Sequence, residues 1–509
     1  MAINRTAEDR KKALIIGGGI AGLLVARVLS EQYNEVQIIE RDACPEQPGI
    51  RAGAPQSFHL HQILPRGEVI LDSLFPGFTA EILAHGAFPI QKNTLIQMIN
   101  PYGAIPFPST GGEEIKAGTY SRALLEWVLR QRVEDLPNVN FLYHQQVIGL
   151  ETSANDGQLT VNGVYIRERG QLQQRTTLLA DLVVDASGRS SKLAQWLSDL
   201  GYDVPESERV TSAIGYSTRY YRIHPEKRNL GVIVIEGDPA TGNSSGGVLK
   251  AVEDDIWSVC IASVGGNYPP TEAKGFDEGL AQLISPAIAE AVRGAEVLTE
   301  PRGYRIPECV RQHYEQMERW PAGLLVIGDA LCHFDPVYGQ GMTVAAIEAE
   351  TLAMCLQQQQ EQPQADFERR VLQRMQEAIY PAWWRSVLED LRWTGVTHKG
   401  PVELKGVKLL HKYFEFCMKQ STRKLLEQMQ TGDFNPLYMS YFMMNWLFIS
   451  PRDVINARTL FALLEGETHE EKQAILTEMF EGYEQNIEAA LEEIVPHFTF
   501  EFRQPPVSM

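Results

Sequence analysis

Lys12-Ala-Leu-Ile-Ile16 runs directly into Gly17-Gly18-Gly19-Ile20-Ala21-Gly22, and far downstream Leu324-Leu-Val-Ile-Gly328-Asp329-Ala330 precedes Asp335-Pro336-Val-Tyr-Gly339-Gln-Gly341-Met342. Each is an apolar strand pattern that ends on glycine where a helical pattern begins. In the first, Gly17 allows a tight turn and Gly19 leaves the backbone bare for a pyrophosphate. Gly22 lets the helix that opens at Ile20 and Ala21 pack closely on the strand. Its free N–H groups and positive dipole end suit phosphates. Glu40 closes a second strand, Glu35–Ile39, where a carboxylate can accept both ribose hydroxyls; Arg41 follows it. An acid there argues against a 2′-phosphate.

The downstream box decides which dinucleotide is expected. Asp329 is placed to bond a hydroxyl of a ribityl chain. The helix opening at Gly339, Gly341 and Met342 aims N–H groups at the flavin edge that turns negative on reduction. Together the boxes predict two ends of one FAD molecule. Between them lies Ala180-Asp-Leu-Val-Val-Asp185-Ala-Ser-Gly188-Arg189, another strand end with a glycine that permits close approach.

The bulk numbers bound the rest. A chain of 509 residues has room for two or three domains. Its net charge of −19 disfavours nucleic acid and anionic membranes as partners. Six cysteines without a CxxC spacing signal neither a disulfide frame nor a zinc site, so a reducing cytoplasm is expected. His59 and His61, with no acid or cysteine beside them, make a poor metal pair, and no metal is expected. No apolar run is long enough to span a bilayer, and the charged amino end carries no apolar export core.

The expected fold class is α/β, α+β overall: a Rossmann-like FAD-binding domain with an inserted mixed or antiparallel β-sheet substrate domain and a helical carboxy-terminal region. The FAD-binding domain is expected in three pieces, residues 1–86, 119–205 and 306–360. Strands at 87–118 and 206–305 form the substrate sheet, and 361–509 is helical. Gly163 and Gly170 read as turn points. Gln357–Gln364 reads as a low-complexity loop that separates two helices, and Thr468-x-x-Glu471 as a capping box that starts the last long helix. Tyr441–Ile449 reads as a buried helix or a greasy contact surface.

On these motifs the chain resembles the flavoprotein monooxygenases of the p-hydroxybenzoate hydroxylase fold. The matching positions are Gly17, Gly19 and Gly22; Asp185 and Gly188; Gly328 and Asp329. One departure is Ser187, where the family more often has aspartate. Arg51 and Arg122 also match, and the resemblance implies that they lie near the FAD pyrophosphate. It adds Val147 to the cofactor-binding set and places Pro336 near the reactive carbon of the flavin. The string Arg51-Ala-Gly-Ala-Pro-Gln-Ser-Phe-His59-Leu-His61, with Asp335–Met342 and Asp390-Leu-Arg392-Trp, resembles a bacterial branch that includes polyether-type epoxidases.

What the resemblance implies is a monooxygenase. Reduced FAD and O2 would give a C4a-hydroperoxide, whose distal oxygen passes to an apolar secondary metabolite by alkene epoxidation or ring hydroxylation. Electrons would come from NAD(P)H or a separate flavin reductase. No catalytic side chain is assigned, because alignment and a dry pocket carry such a step. Aromatic and Met residues from Phe434 and Tyr438 through Tyr441, Phe442, Met443, Met444, Trp446 and Phe448 read either as core or as a pocket cap. Three alternatives stay open. A flavin halogenase of the same fold is disfavoured by the lack of a WxWxIP string, a prenyl-chain reductase would use the same site, and a prenyl-binding carrier would have lost its flavin.

Overall fold

The computed structural model describes residues 12–107, 117–155, 158–171, 175–432, 436–483 and 486–502. The chain forms two compact units, each assembled from three separated stretches. The first gathers Met1–Ala87, Tyr120–Arg209 and Cys309–Ile379; the second gathers Phe88–Thr119, Val210–Glu308 and Tyr380–Met509.

The first unit is built on five parallel strands: β1 Lys12–Ile16, β2 Glu35–Ile39, β3 Val139–Leu142, β4 Leu182–Asp185 and β5 Leu324–Val326. Their order is β5-β4-β1-β2-β3. Strands β1 and β4 are apolar and buried almost end to end, as expected where helices cover both faces of a sheet. The register sets Ile16 beside both Ile39 and Asp185, and Asp185 beside Val326. The carboxyl ends of four strands therefore finish in one row. Chain order reverses at β1, which has β2 on one side and β4 on the other, and ligands of open α/β sheets bind at that switch point. Helices α1 (Ile20–Ser30), α2 (Arg122–Glu134) and α3 (Gln340–Glu361) complete the layer. A three-stranded antiparallel sheet of 145–155, 158–168 and 176–179 belongs to the same unit.

The second unit holds a seven-stranded sheet in the order 302–306, 214–222, 256–263, 246–252, 230–235, 95–100 and 103–107. All neighbours are antiparallel except 230–235 with 95–100. Helices Ala273–Ala281 and Ala287–Val292 bury Phe276, Leu280 and Ile288 against Trp257, Val259 and Ile261 of this sheet. A second core joins Trp384 and Leu388, near the end of α4 (Phe367–Asp390), to Tyr413, Phe414 and Cys417 of α5 (Val407–Thr431). Tyr441, Phe442 and Met444 of α6 (Ser440–Asn445) pack into that core. Phe448 is buried too, whereas Phe434 lies outside the described residues. The aromatic stripe is thus largely core.

Local expectations are corrected at three places, and one is met. The Gln-rich run does not break a helix: α3 continues through Gln357–Glu361, because glutamine is a good helix former, and the break falls at Gln362 and Pro363. Gly163 is no turn but lies inside strand 158–168, where a side chain would collide with the Leu178 carbonyl. The Thr468–Glu471 capping box is fully formed and starts α7 (His469–Met479), with only the shorter α8 (Ile487–Ile494) after it among the described residues. The run Tyr441–Ile449 is a short helix that ends in a turn, with Leu447 at φ 64°. On α7 only Met479 is buried, so its glutamates form a solvated face.

Candidate functional site

The site grows from the row of strand ends. Gly17 follows β1 at φ +103°, donates its N–H to the Ile39 carbonyl at 2.9 Å, and has the Ala186 carbonyl 2.6 Å from where a Cβ would stand. No other residue type meets that dihedral and that crowding together. A side chain at Gly22 would collide with the Gly17 carbonyl, so α1 begins hard against the turn. Gly19 is different: among the described residues, the one atom near its missing Cβ is Nη2 of Arg51, at 3.7 Å. Helix α1 has no side-chain cap, and its first turn (Ile20, Ala21, Gly22) offers N–H groups to an anion.

Beside this turn lies a buried network of charges. Glu40 accepts the N–H groups of Gly18 at 2.9 Å and Asp42 at 3.0 Å. Arg51 meets Glu126 at 2.6 Å, Asp42 at 3.1 Å and Glu40 at 3.3 Å. Glu126 is flanked in turn by Arg130 at 3.3 Å and Arg122 at 3.8 Å. Arg130 is fully buried, donates to the Gly18 carbonyl at 2.5 Å and lies over the Phe141 ring. Burial by itself would raise the Glu126 carboxyl, but Arg51, Arg122 and Arg130 outweigh it and hold the group below its usual range. Burial opposes the charge of Arg51 as well, and Glu126 and Glu40 overcome it, so this guanidinium stays protonated.

Arg51 reaches the Gly19 turn while paired with three carboxylates, and Arg122, at the start of α2, meets Glu126 one turn on. Sequence reading missed Asp42, Glu126 and Arg130, although Arg122, Glu126 and Arg130 recur at a four-residue spacing that marks one helix face. Arg41 is exposed and acts on Asp42 through its charge.

Asp185, expected to face the cofactor, is fully buried and turned inward. It accepts the Ser187 N–H at 2.9 Å and the Ser191 hydroxyl at 2.6 Å. It shapes the loop that presents Gly188, which has φ +74° and open space where a side chain would be. Val147 is half-buried on strand 145–155, paired with Ile166 at a bulge. His61 bonds the His59 carbonyl through Nδ1 at 2.9 Å.

The third strand end completes the row. The Ile327 N–H donates to the Asp185 carbonyl at 3.0 Å, and the chain then turns at Gly328, φ +66°. Asp329 is exposed and has no hydrogen-bond or ionic partner among the described residues. Asp335 is buried and accepts the Val337 N–H at 2.7 Å, so that Pro336 opens a single turn ending at Gly339. Helix α3 then starts without a side-chain cap; Gly341 faces open space and Met342 is buried. The Leu64 N–H donates to the Thr343 hydroxyl at 2.8 Å and ties the 55–64 loop to α3.

These residues fit FAD. Two helix starts lack caps, three glycines (Gly19, Gly188 and Gly341) leave the space above the backbone clear, and an unpaired carboxylate stands between them. Such sites supply phosphate-binding N–H groups at one end and a hydroxyl acceptor at the other.

No family model matches the chain. In fold it is similar to the flavin-dependent brominase Bmp2, with a TM-score of 0.57 at 16% identity over 85% of this chain and 93% of that one. It is also similar to PqsL, a probable FAD-dependent monooxygenase from Pseudomonas aeruginosa, with a TM-score of 0.55 at 15% identity over 75% and 98%. Taken with the sequence relatives given below, this fold places the chain among the oxidoreductases of the FAD-dependent monooxygenase type. Within it the chain belongs to the family of Protein Rv3254 of Mycobacterium tuberculosis, to which it is 32% identical over 395 residues, 76% of this chain and 81% of that protein. More distant relatives include the kynurenine 3-monooxygenase of Salinispora tropica, 24% identical over 68% of this chain and 73% of that one. Squalene epoxidase 4 of Arabidopsis thaliana is 25% identical over 65% and 59%.

Proposed function

We propose that the chain binds FAD across this row of strand ends and uses it to place one oxygen atom from O2 into a small apolar secondary metabolite, by alkene epoxidation or ring hydroxylation. The observation that carries the reading is the convergence of Gly17, Gly188 and Asp329 on adjacent strand ends of one parallel sheet. In this reading Gly17, Gly19, Ile20, Ala21 and Gly22 take the pyrophosphate and Glu40 takes the ribose. Asp329 takes the ribityl chain, and the start of α3 (Gly339, Gly341, Met342) takes the flavin edge. Bound FAD would supply the activation of O2. The protein orients it, excludes water and places N–H dipoles where negative charge gathers. The relatives named for squalene epoxidation and kynurenine monooxygenation support oxygen transfer to an apolar alkene or ring.

NAD(P)H or a partner flavin reductase is proposed as the electron source. None of the six cysteines forms a disulfide, which favours a reducing cytoplasm. Among the described residues no helix is long and apolar enough to cross a membrane. The polyether-type epoxidase branch remains the proposed neighbourhood for the substrate.

The test is incubation of the FAD-loaded protein with a reductant, candidate polyenes and 18-O2. One labelled oxygen in the product is expected; oxygen drawn from water overturns the reading. Chlorinated or brominated product in the presence of halide would favour a halogenase instead.

A further inference from the structure

Beneath the Gly-Asp turn lies a carboxyl group with no assigned part. Glu348 stands in the third turn of α3 and is 1% exposed. Its Oε2 accepts the Gly328 N–H at 3.0 Å, and its Oε1 is buried with no hydrogen-bond partner. The left-handed turn takes Gly328 out of the β-ladder two residues after β5 ends, and the Glu348 carboxyl group receives its N–H. From the other side the turn is pinned by Ala21 of α1, which comes within 2.7 Å of where a Gly328 side chain would stand.

We propose that Glu348 is the positioning residue of the Gly-Asp box: by accepting the Gly328 N–H from below, it holds that turn, and with it Asp329, in the arrangement that receives FAD. The inference rests on the FAD reading of the site. Two charged or titratable groups face Glu348. Asp329 stands on the turn itself, and Cys332 lies on the short strand that follows. Cys332 also feels Arg311 and Glu208. Burial, opposed by the Gly328 N–H and reinforced by Asp329, pushes the Glu348 carboxyl up to about 8. Burial thus favours the protonated, neutral form of Glu348. As pH climbs through about 8, ionisation of Glu348 places a negative charge beneath the turn, in a box that on this reading accepts an anionic cofactor whose flavin edge turns negative on reduction.

The experiment uses the full-length protein stripped of cofactor, with FAD itself as the probe, followed by fluorescence quenching from about pH 6 to about pH 9.5. Glu348→Gln keeps an acceptor oxygen and cannot ionise. It should bind FAD within roughly threefold of the parent near neutral pH and show no alkaline weakening, whereas the parent weakens above pH 8. Glu348→Leu leaves the Gly328 N–H buried without an acceptor, and FAD binding should fall about tenfold. Amide hydrogen exchange across residues 324–335 of the cofactor-free protein should speed up in Glu348→Leu and stay as in the parent in Glu348→Gln. If Glu348→Leu binds FAD like the parent, or Glu348→Gln weakens at alkaline pH as the parent does, the assignment of Glu348 is overturned while the cofactor reading stands. If the parent itself takes up no FAD, both are overturned together.

Discussion

Gly328 stands so close to Ala21 that a methyl group added to it would lie 2.7 Å from the Ala21 Cβ. Residues separated by most of the FAD-binding fold thus touch at one point, where the amino-terminal glycine turn meets the Gly-Asp turn. Gly328→Ala should strain a left-handed backbone by about 1–2 kcal/mol and push the two turns apart. The expected result is FAD affinity weakened by roughly tenfold, measured by titration of cofactor-free protein. Unchanged affinity would show that the convergence is not what the cofactor reads.

Asp329 is exposed and unpaired, so no folding role is evident for it. Asp329→Ala should leave the thermal midpoint of the cofactor-free protein within about 1 °C of the parent while FAD binding weakens by about 1–3 kcal/mol. A large loss of stability without FAD would contradict this.

Glu126 is the common anion for Arg51, Arg122 and Arg130. Removing its charge leaves three largely buried guanidinium groups short of a partner. Glu126→Gln should therefore destabilise the fold by about 3–5 kcal/mol. Chemical denaturation of the variant and the parent measures it, and a change below about 1 kcal/mol would mean that Glu40 and Asp42 suffice.

His313 is buried between Glu208, at 3.2 Å, and Glu315, at 2.8 Å. Burial would lower its pKa, but bonds to the two carboxylates outweigh this and raise it above 6.5. A histidine raised in the folded state stabilises fully below its unfolded pKa and loses that contribution as pH climbs through the folded one. Stability should therefore decline as pH rises above about 6.5, and His313→Asn should flatten this slope. Denaturant midpoints across that range, parent against variant, test it.

Phe442 is 2% exposed within the core formed by α5 and α6. As core, Phe442→Ala should cost about 3–5 kcal/mol of stability with FAD affinity intact. Loss of turnover at full stability would revive the pocket-cap reading of the stripe.

Much of the fold was legible because strand ends are local. An apolar run, a glycine with a forbidden dihedral and a helix start lie within a dozen residues, so Gly17–Gly22 and Gly328–Gly341 announced themselves. The charged network did not, since Arg51, Glu126 and Glu40 meet only after β2 and α2 are packed. Asp185 was legible only in part for a related reason: sequence shows that a carboxylate closes β4, not that it bonds Ser187 and Ser191. The Gln-rich run misled by composition, for low complexity weakens a prediction of structure, yet glutamine propagates a helix well until Pro363 intervenes.

The row formed by Ile16, Asp185 and Val326 has a consequence for biogenesis. A ribosome that has released only the first two of these strands exposes half a cleft, and β4 still lacks its outer neighbour β5. Parallel pairing over such long sequence intervals is slow to form. If FAD binds as proposed, yellow colour in a nascent or truncated chain should therefore appear only once translation has passed β5 and α3.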